Sequence, residues 1–297
     1  MQIVVAGGTG FLGTALVARL RKDGHSVTVL SRHPRRAREY QWSPYGPSSG
    51  WAHVLEDTDA VINLAGAPIA TRWTASHKRE MWNSRLLSTR TLVAAMSSLR
   101  RGPAILINAS AIGTYGDRGD EVLTEYSPPG SGFLASMGAA WEKETLSAPP
   151  QTRVVLLRTG IVLGKDGGAL PRMALPFRFF AGGPLGSGRQ YVSWIHRDDW
   201  TAMVSWALTV EGLSGPLNVT APQPVTNLEF ARTLGRVLQR PAFLPAPGFA
   251  LRAVLGEMAD VIVTGQQVLP AKAHAFGFEF THPELAGALR SIFDEKH

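Results

Sequence analysis

The chain has 297 residues, 44% hydrophobic and 18% charged, which is the balance of a folded globular protein with room for about two domains. It holds no cysteine, so disulfides, cysteine-ligated zinc, iron–sulfur clusters and thiolate chemistry are excluded, and no metal site is expected. A net charge of +7, from 30 Lys and Arg against 23 Asp and Glu, is scattered except in Arg32–Arg38 and lacks interleaved aromatics; it suits a phosphorylated ligand or plain solubility better than nucleic acid.

Ile3–Ala6 reads as a buried strand. No basic-then-apolar leader precedes it and no apolar run approaches a membrane span, so a cytoplasmic protein without a membrane partner is expected. A helix follows over Phe11–Asp23, stopped by Gly24, and then a strand over Val27–Leu30. The stretch from Trp42 through Pro44, Gly46 and Pro47 to Gly50 reads as an irregular surface excursion. Ala60–Leu64 is a third strand, Lys78–Arg100 a helix, Ala104–Asn108 a strand, Ala135–Leu146 a helix and Arg153–Leu157 a strand. Strands alternating with helices predict an α/β fold, a Rossmann-type doubly wound parallel sheet. After Gly164, Gly and Pro become denser. Residues 1–164 are therefore expected to form a dinucleotide-binding domain, and 165–297 a smaller mixed substrate region, with about 190–210 returning to the core. The sequence fixes no oligomeric state.

The sharpest motif is Gly7-Gly8-Thr9-Gly10-Phe11-Leu12-Gly13, between a strand and a helix. One glycine makes the tight turn, another admits a pyrophosphate to the backbone, and the last lets helix and strand pack closely. Free N–H groups and the helix dipole then face the phosphates. Gly7, Thr9, Gly10, Phe11, Leu12 and Gly13 are thus candidate cofactor contacts. An NAD site places an acid at the end of the second strand for the ribose 2′-hydroxyl. Here that strand ends in Ser31-Arg32, with Arg35 and Arg36 close behind and no acid before Glu39. Ser31, Arg32 and Arg36 therefore predict a 2′-phosphate, and NADP(H) in preference to NAD(H).

Further motifs are Asn63-Leu64-Ala65-Gly66, Ser84-Arg85, Ser110 through Asp117, Leu157 through Gly164, Trp194 through Asp199, and Gly277-Phe278-Glu279-Phe280 with Pro283. Across essentially the whole length, the chain resembles the extended short-chain dehydrogenase/reductase superfamily, of the NAD(P)-dependent epimerase/dehydratase type. Within it, the chain is most similar to the atypical "epimerase family protein" branch. The resemblance implies that Leu64, Ala65, Gly66, Arg85 and Ser110 also line the cofactor, and that the substrate is a small polar molecule such as a carbonyl compound or nucleotide sugar. Arg85 reaches either the cofactor or an acidic substrate on this reading.

The superfamily moves its proton with a Tyr-x-x-x-Lys pair on one helix face, assisted by a Ser or Thr. Counting back from Glu142, the Tyr position falls near Leu134 and the Lys position near Gly138, and Phe133–Ala140 contains neither residue. The Ser position falls on Ala111, with Ser110 one residue earlier. Ser110, Tyr115 and His196 are the remaining candidate catalytic groups. Arg72-Trp73-Thr74 is a candidate cleft lining, and Gly182–Arg189 a flexible lip over the cleft, followed by a strand at Gln190–Trp194. Asp198 and Asp199 are expected to cap a helix. The resulting expectation is an oxidoreductase or epimerase-like enzyme lacking the usual pair; the alternative is a non-catalytic NADP(H)-binding sensor.

Overall fold

Neighbouring apolar residues in the first strand bury against opposite faces of the sheet, as a strand covered on both sides requires. Ile3 and Val5 pack with Leu16, Val17 and Leu20 on one face, while Val4 and Ala6 pack with Leu92, Val93 and Met96 on the other. The computed structural model describes residues 1–294. In chain order the strands are β1 (Gln2–Ala6), β2 (Ser26–Ser31), β3 (Glu39–Gln41), β4 (Ala60–Asn63), β5 (Ile105–Ala111), β6 (Val122–Leu123), β7 (Arg153–Thr159), β8 (Ile161–Leu163), β9 (Tyr191–Val192), β10 (Trp194–His196), β11 (Gly215–Val219), β12 (Val225–Thr226) and β13 (Gln267–Val268). The helices are α1 (Phe11–Lys22), α2 (Ala75–Ser97), α3 (Phe133–Thr145), α4 (Leu170–Arg178), α5 (Arg197–Thr209), α6 (Asn227–Leu238), α7 (Gly248–Leu255), α8 (Asp260–Val263), α9 (Ala271–Ala275) and α10 (Leu285–Asp294).

The central sheet has seven strands in the order β11-β7-β5-β4-β1-β2-β3, every pairing parallel. This is the doubly wound Rossmann-type arrangement expected from the sequence. The strand order reverses between β1 and β4, and open α/β sheets bind ligands outside the strands' carboxyl ends at such a point. One face is covered by α1 and α5, which bring Trp200, Met203 and Val204 onto the α1 leucines. The other is covered by α2. A second, smaller core joins α4, α6 and α10 through Leu170, Phe177, Phe230, Leu234, Leu289 and Ile292. Among the described residues, no helix is long and apolar enough to cross a membrane.

Three local differences from the sequence reading have physical causes. The excursion after β3 is anchored in the core, because Trp42 and Trp51 are buried edge-to-face, 5.4 Å apart, against Leu30, Val61 and Leu92. β3, of three residues, is too short to give a pattern, and β11 is masked by Gly215 and Pro216, a proline that an outermost strand tolerates. The strand expected at 190–194 is split into β9 and β10 at Ser193, whose Oγ donates to Gln266 O and accepts from Val268 N.

Candidate functional site

The glycine turn and the segment after β4 form one surface. Gly7 has φ +79°, and a Cβ there would stand 2.8 Å from the Leu64 carbonyl carbon. A Cβ on Gly13 would stand 2.7 Å from Gly8 Cα, so bare glycine is what lets α1 meet the turn. Gly10 differs: its φ of −79° and ψ of 178° suit any residue, and a Cβ there would meet only Gly7 O, at 3.5 Å. It faces open space at the N-terminus of α1, which has no side-chain cap and no acid in its first turn. The first-turn N–H groups therefore stay available to an anion. Thr9 is exposed, Leu12 half-buried, and the Phe11 ring is wrapped by Gly164, Gly167 and Gly168 with the Arg197 guanidinium 5.7 Å from its centre.

At the end of β2, Ser31 is buried and its Oγ accepts from His33 N at 3.2 Å. Arg32 and Arg36 are exposed, and among the described residues neither guanidinium has an ion-pair partner. The acid that follows, Glu39, is committed to the Arg35 and Arg36 backbone N–H groups through one carboxylate oxygen. No carboxylate is thus presented where a ribose 2′-hydroxyl would need one.

After β4, Leu64 and Ala65 are half-buried and Gly66 is exposed. Ala65 N donates to Asn63 Oδ1, and Asn63 Nδ2 donates to Asn108 Oδ1 at 2.7 Å, tying the carboxyl end of β4 to the middle of β5. The Ser84-Arg85 pair clamps the next residue. Ser84 Oγ accepts from Ala67 N, and Arg85 Nη2 donates to Ala67 O at 3.1 Å. Arg85 is buried directly beneath Gly66 and 5.2 Å from the Trp141 ring centre. Its Nε has no partner, no carboxylate neutralises it among the described residues, and burial pushes its pKa down to about 10. A buried, half-satisfied guanidinium beside an exposed glycine suits an anionic or carbonyl-bearing ligand.

Ser110 lies near the carboxyl end of β5, inside a buried polar chain. Its Oγ donates to Glu142 Oε1 at 2.7 Å, and Arg158 holds the same carboxylate through Nε and Nη2, both at 2.8 Å. Arg158 Nη1 donates to Tyr115 Oη at 3.0 Å, and Tyr115 Oη donates to Asn218 Oδ1 at 2.7 Å. Tyr115 is 0% exposed and its phenol pKa is raised, first by burial. The structure thus brings Ser110 and Tyr115 together, with both hydroxyl protons already placed. Glu142, Arg158 and Asn218 were absent from the sequence-derived site; Arg158 within an apolar strand was the available signal, since a buried charge demands a partner.

His196 lies elsewhere. It is buried at the start of α5, where its Nδ1 accepts from Asp198 N at 3.1 Å and its ring stacks on His282 with centres 3.9 Å apart. Burial, then the neighbouring His282, push its pKa down to about 4. The helix cap is therefore His196, not Asp198 or Asp199; the Asp199 carboxylate takes Thr281 N and His282 N instead.

Leu134 packs on Gly113, and Gly138 leaves space that the Thr114 side chain fills. Beside them, a cleft of about 380 Å³ opens between α2 and α3, lined by Lys78, Arg79, Trp82, Phe133 and Glu257. Trp73 joins it edge-on to Phe133, and Lys78 bridges to Glu257 at 2.7 Å. The expected lip is fixed at its centre, where Leu185 N donates to Asn227 Oδ1 and the backbone bridges to Ala246. A larger groove of about 900 Å³ along α6 is lined by α6 and the residues just after it, and no candidate site residue lines it.

Residues 3–219 match the model of the NAD dependent epimerase/dehydratase family, and residues 246–292 match a domain of unknown function, DUF1731. An Arabidopsis thaliana chloroplastic homologue of epimerase family protein SDR39U1 is 44% identical over 98% of this chain and 86% of its own length. The crystal structure of human epimerase family protein SDR39U1 (isoform 2) with NADPH superposes with a TM-score of 0.93, at 36% identity over 100% of both chains. A nucleoside-diphosphate sugar epimerase from Corynebacterium glutamicum superposes with a TM-score of 0.82, at 31% identity over 98% of this chain and 58% of that one.

Proposed function

Because the chain belongs to the NAD dependent epimerase/dehydratase family, we propose that it binds NADP(H) in preference to NAD(H) and performs redox or epimerase chemistry on a small polar carbonyl compound or nucleotide sugar without a Tyr-x-x-x-Lys pair. The observation that carries the cofactor preference is the end of β2, where Ser31 is followed by the exposed Arg32 and Arg36, whose guanidinium groups have no ion-pair partner among the described residues, while Glu39 is held by backbone N–H groups. The open face of Gly10 supports a pyrophosphate there, and the human relative was solved with NADPH. The nicotinamide cofactor supplies the hydride when bound.

On this reading Gly7, Thr9, Gly10, Phe11, Leu12 and Gly13 hold the pyrophosphate, largely through backbone N–H groups, and Leu64, Ala65 and Gly66 line the nicotinamide side. Arg85 orients an anionic or carbonyl oxygen from beneath Gly66. Ser110 presents acceptor lone pairs, because its proton is directed at Glu142. The substrate enters by the α2–α3 cleft, past Trp73, Lys78 and Phe133.

Calorimetric titration of NADPH and NADH tests the preference. NADPH binds more tightly, and Arg32→Ala weakens NADPH by about 1.5–3 kcal/mol, the worth of one charge-assisted contact, while sparing NADH. Equal affinities in the wild type, or an unchanged preference in Arg32→Ala, refute it. A second reading, a non-catalytic NADP(H) sensor, is favoured by the engaged hydroxyls of Ser110 and Tyr115. Tight NADPH binding with no single-turnover oxidation by carbonyl compounds or nucleotide sugars selects the sensor.

A further inference from the structure

His196, Asp198 and His282 converge from β10, the first turn of α5 and the segment before α10. Their ligand atoms all lie within 4.8 Å of one another. His196 Nδ1 is 3.9 Å from Asp198 Oδ2, and the two imidazoles stack with centres 3.9 Å apart and planes tilted by 35°.

Two features make this a built arrangement. The first fixes the tautomer of His196. Ser291 Oγ donates to Ala288 O at 2.8 Å, so it accepts from His196 Nε2–H at 3.3 Å, which leaves the lone pair on Nδ1. A ligating histidine is oriented in the same way, by a partner for its second nitrogen. The second fixes His282. The buried Asp199 carboxylate takes the Thr281 and His282 backbone N–H groups, at 2.9 and 2.8 Å, and pins that segment against His196.

We propose that His196, Asp198 and His282 form a site for a divalent transition-metal ion of the zinc class, stapling the start of α5 to the segment before α10. Two imidazoles and one carboxylate suit Zn²⁺, Co²⁺ or Ni²⁺ rather than Mg²⁺ or Ca²⁺, and leave a fourth position for water. Asp198 is exposed and gives the ion its way in. Binding turns the His196 Nδ1 lone pair from Asp198 N to the ion, so the first turn of α5 gives up its side-chain cap. The site is independent of the cofactor reading, since none of its ligands belongs to the glycine turn or the Ser110 network.

The test uses untagged full-length protein stripped with a chelator and titrated with Co²⁺, followed by its visible d–d absorption. One equivalent binds, melting temperature rises on saturation, and His282→Ala weakens binding by at least about tenfold and abolishes the thermal shift. Asp198→Asn, at an exposed position, weakens Co²⁺ binding without unfolding the chain and decides the matter where His282→Ala perturbs the fold. Absence of saturable binding, or binding that both variants leave unchanged, overturns the proposal.

Discussion

The two halves of the cleft are built in opposite ways. The half formed by β1, β2 and β4 is made of backbone: glycines at 7, 10 and 13 and a strand end, all within about thirty residues of one another. The half formed by β5, β7 and α3 is made of side chains from distant positions, Ser110, Tyr115, Glu142, Arg158 and Asn218, in one buried chain of hydrogen bonds. The first is open and waits for a ligand's charge; the second is closed and satisfied.

The contrast is broken most completely at Gly10. Gly10→Val fits the backbone, because φ is −79° and ψ 178°, and it fills the cradle. Dinucleotide binding disappears in calorimetry while circular dichroism and melting stay near wild type. Glu142→Ala does the reverse. It strands the Arg158 charge in the interior and costs about 3–5 kcal/mol by chemical denaturation, while the glycine turn keeps its geometry.

Gly138→Ala sharpens the comparison further. Its Cβ collides with the Thr114 side chain, so stability falls by about 1–3 kcal/mol in denaturant melts, although alanine is the better helix former. At Gly138, where counting back from Glu142 puts the superfamily's Lys, the Thr114 side chain leaves no room for a longer residue. Tyr115→Phe removes two buried hydrogen bonds, to Arg158 and Asn218, at a cost of about 1–3 kcal/mol, and its effect depends on pH. The folded state raises the phenol pKa, so the folded chain holds this proton longer than the unfolded chain. The stability that Tyr115 contributes is present below pH 10 and declines as pH rises through the folded pKa. The difference between wild type and Tyr115→Phe should narrow on that alkaline limb.

What was legible in the sequence follows the same division. β1, the glycine turn, α1, β2 and the Ser31-Arg32 ending announce themselves by spacing, because each depends on neighbours a few residues away. The pairing of Ser110 with Glu142, and of Tyr115 with Arg158 and Asn218, could not be read, because the partners lie 32 to 103 positions apart. His196 was legible as a motif residue, but its neighbours His282 and Ser291 come from the far end of the chain. Trp42 and Trp51 read as loop residues because proline and glycine surround them, and only the space beneath β2 and β4 shows them to be anchors.

The position of β11 beside β7 has a consequence for how the chain is made. The edge of the sheet and the α5 cover over α1 come from residues beyond Gly164. While the chain emerges from the ribosome, Leu16, Val17 and Leu20 lack Trp200, Met203 and Val204, and β7 presents an open edge. A nascent fragment ending at Gly164 is therefore a sticky species, and the sheet closes only after Val219 has been synthesised. The glycine turn is translated before α5, so the helix that follows it stays uncovered until α5 is made.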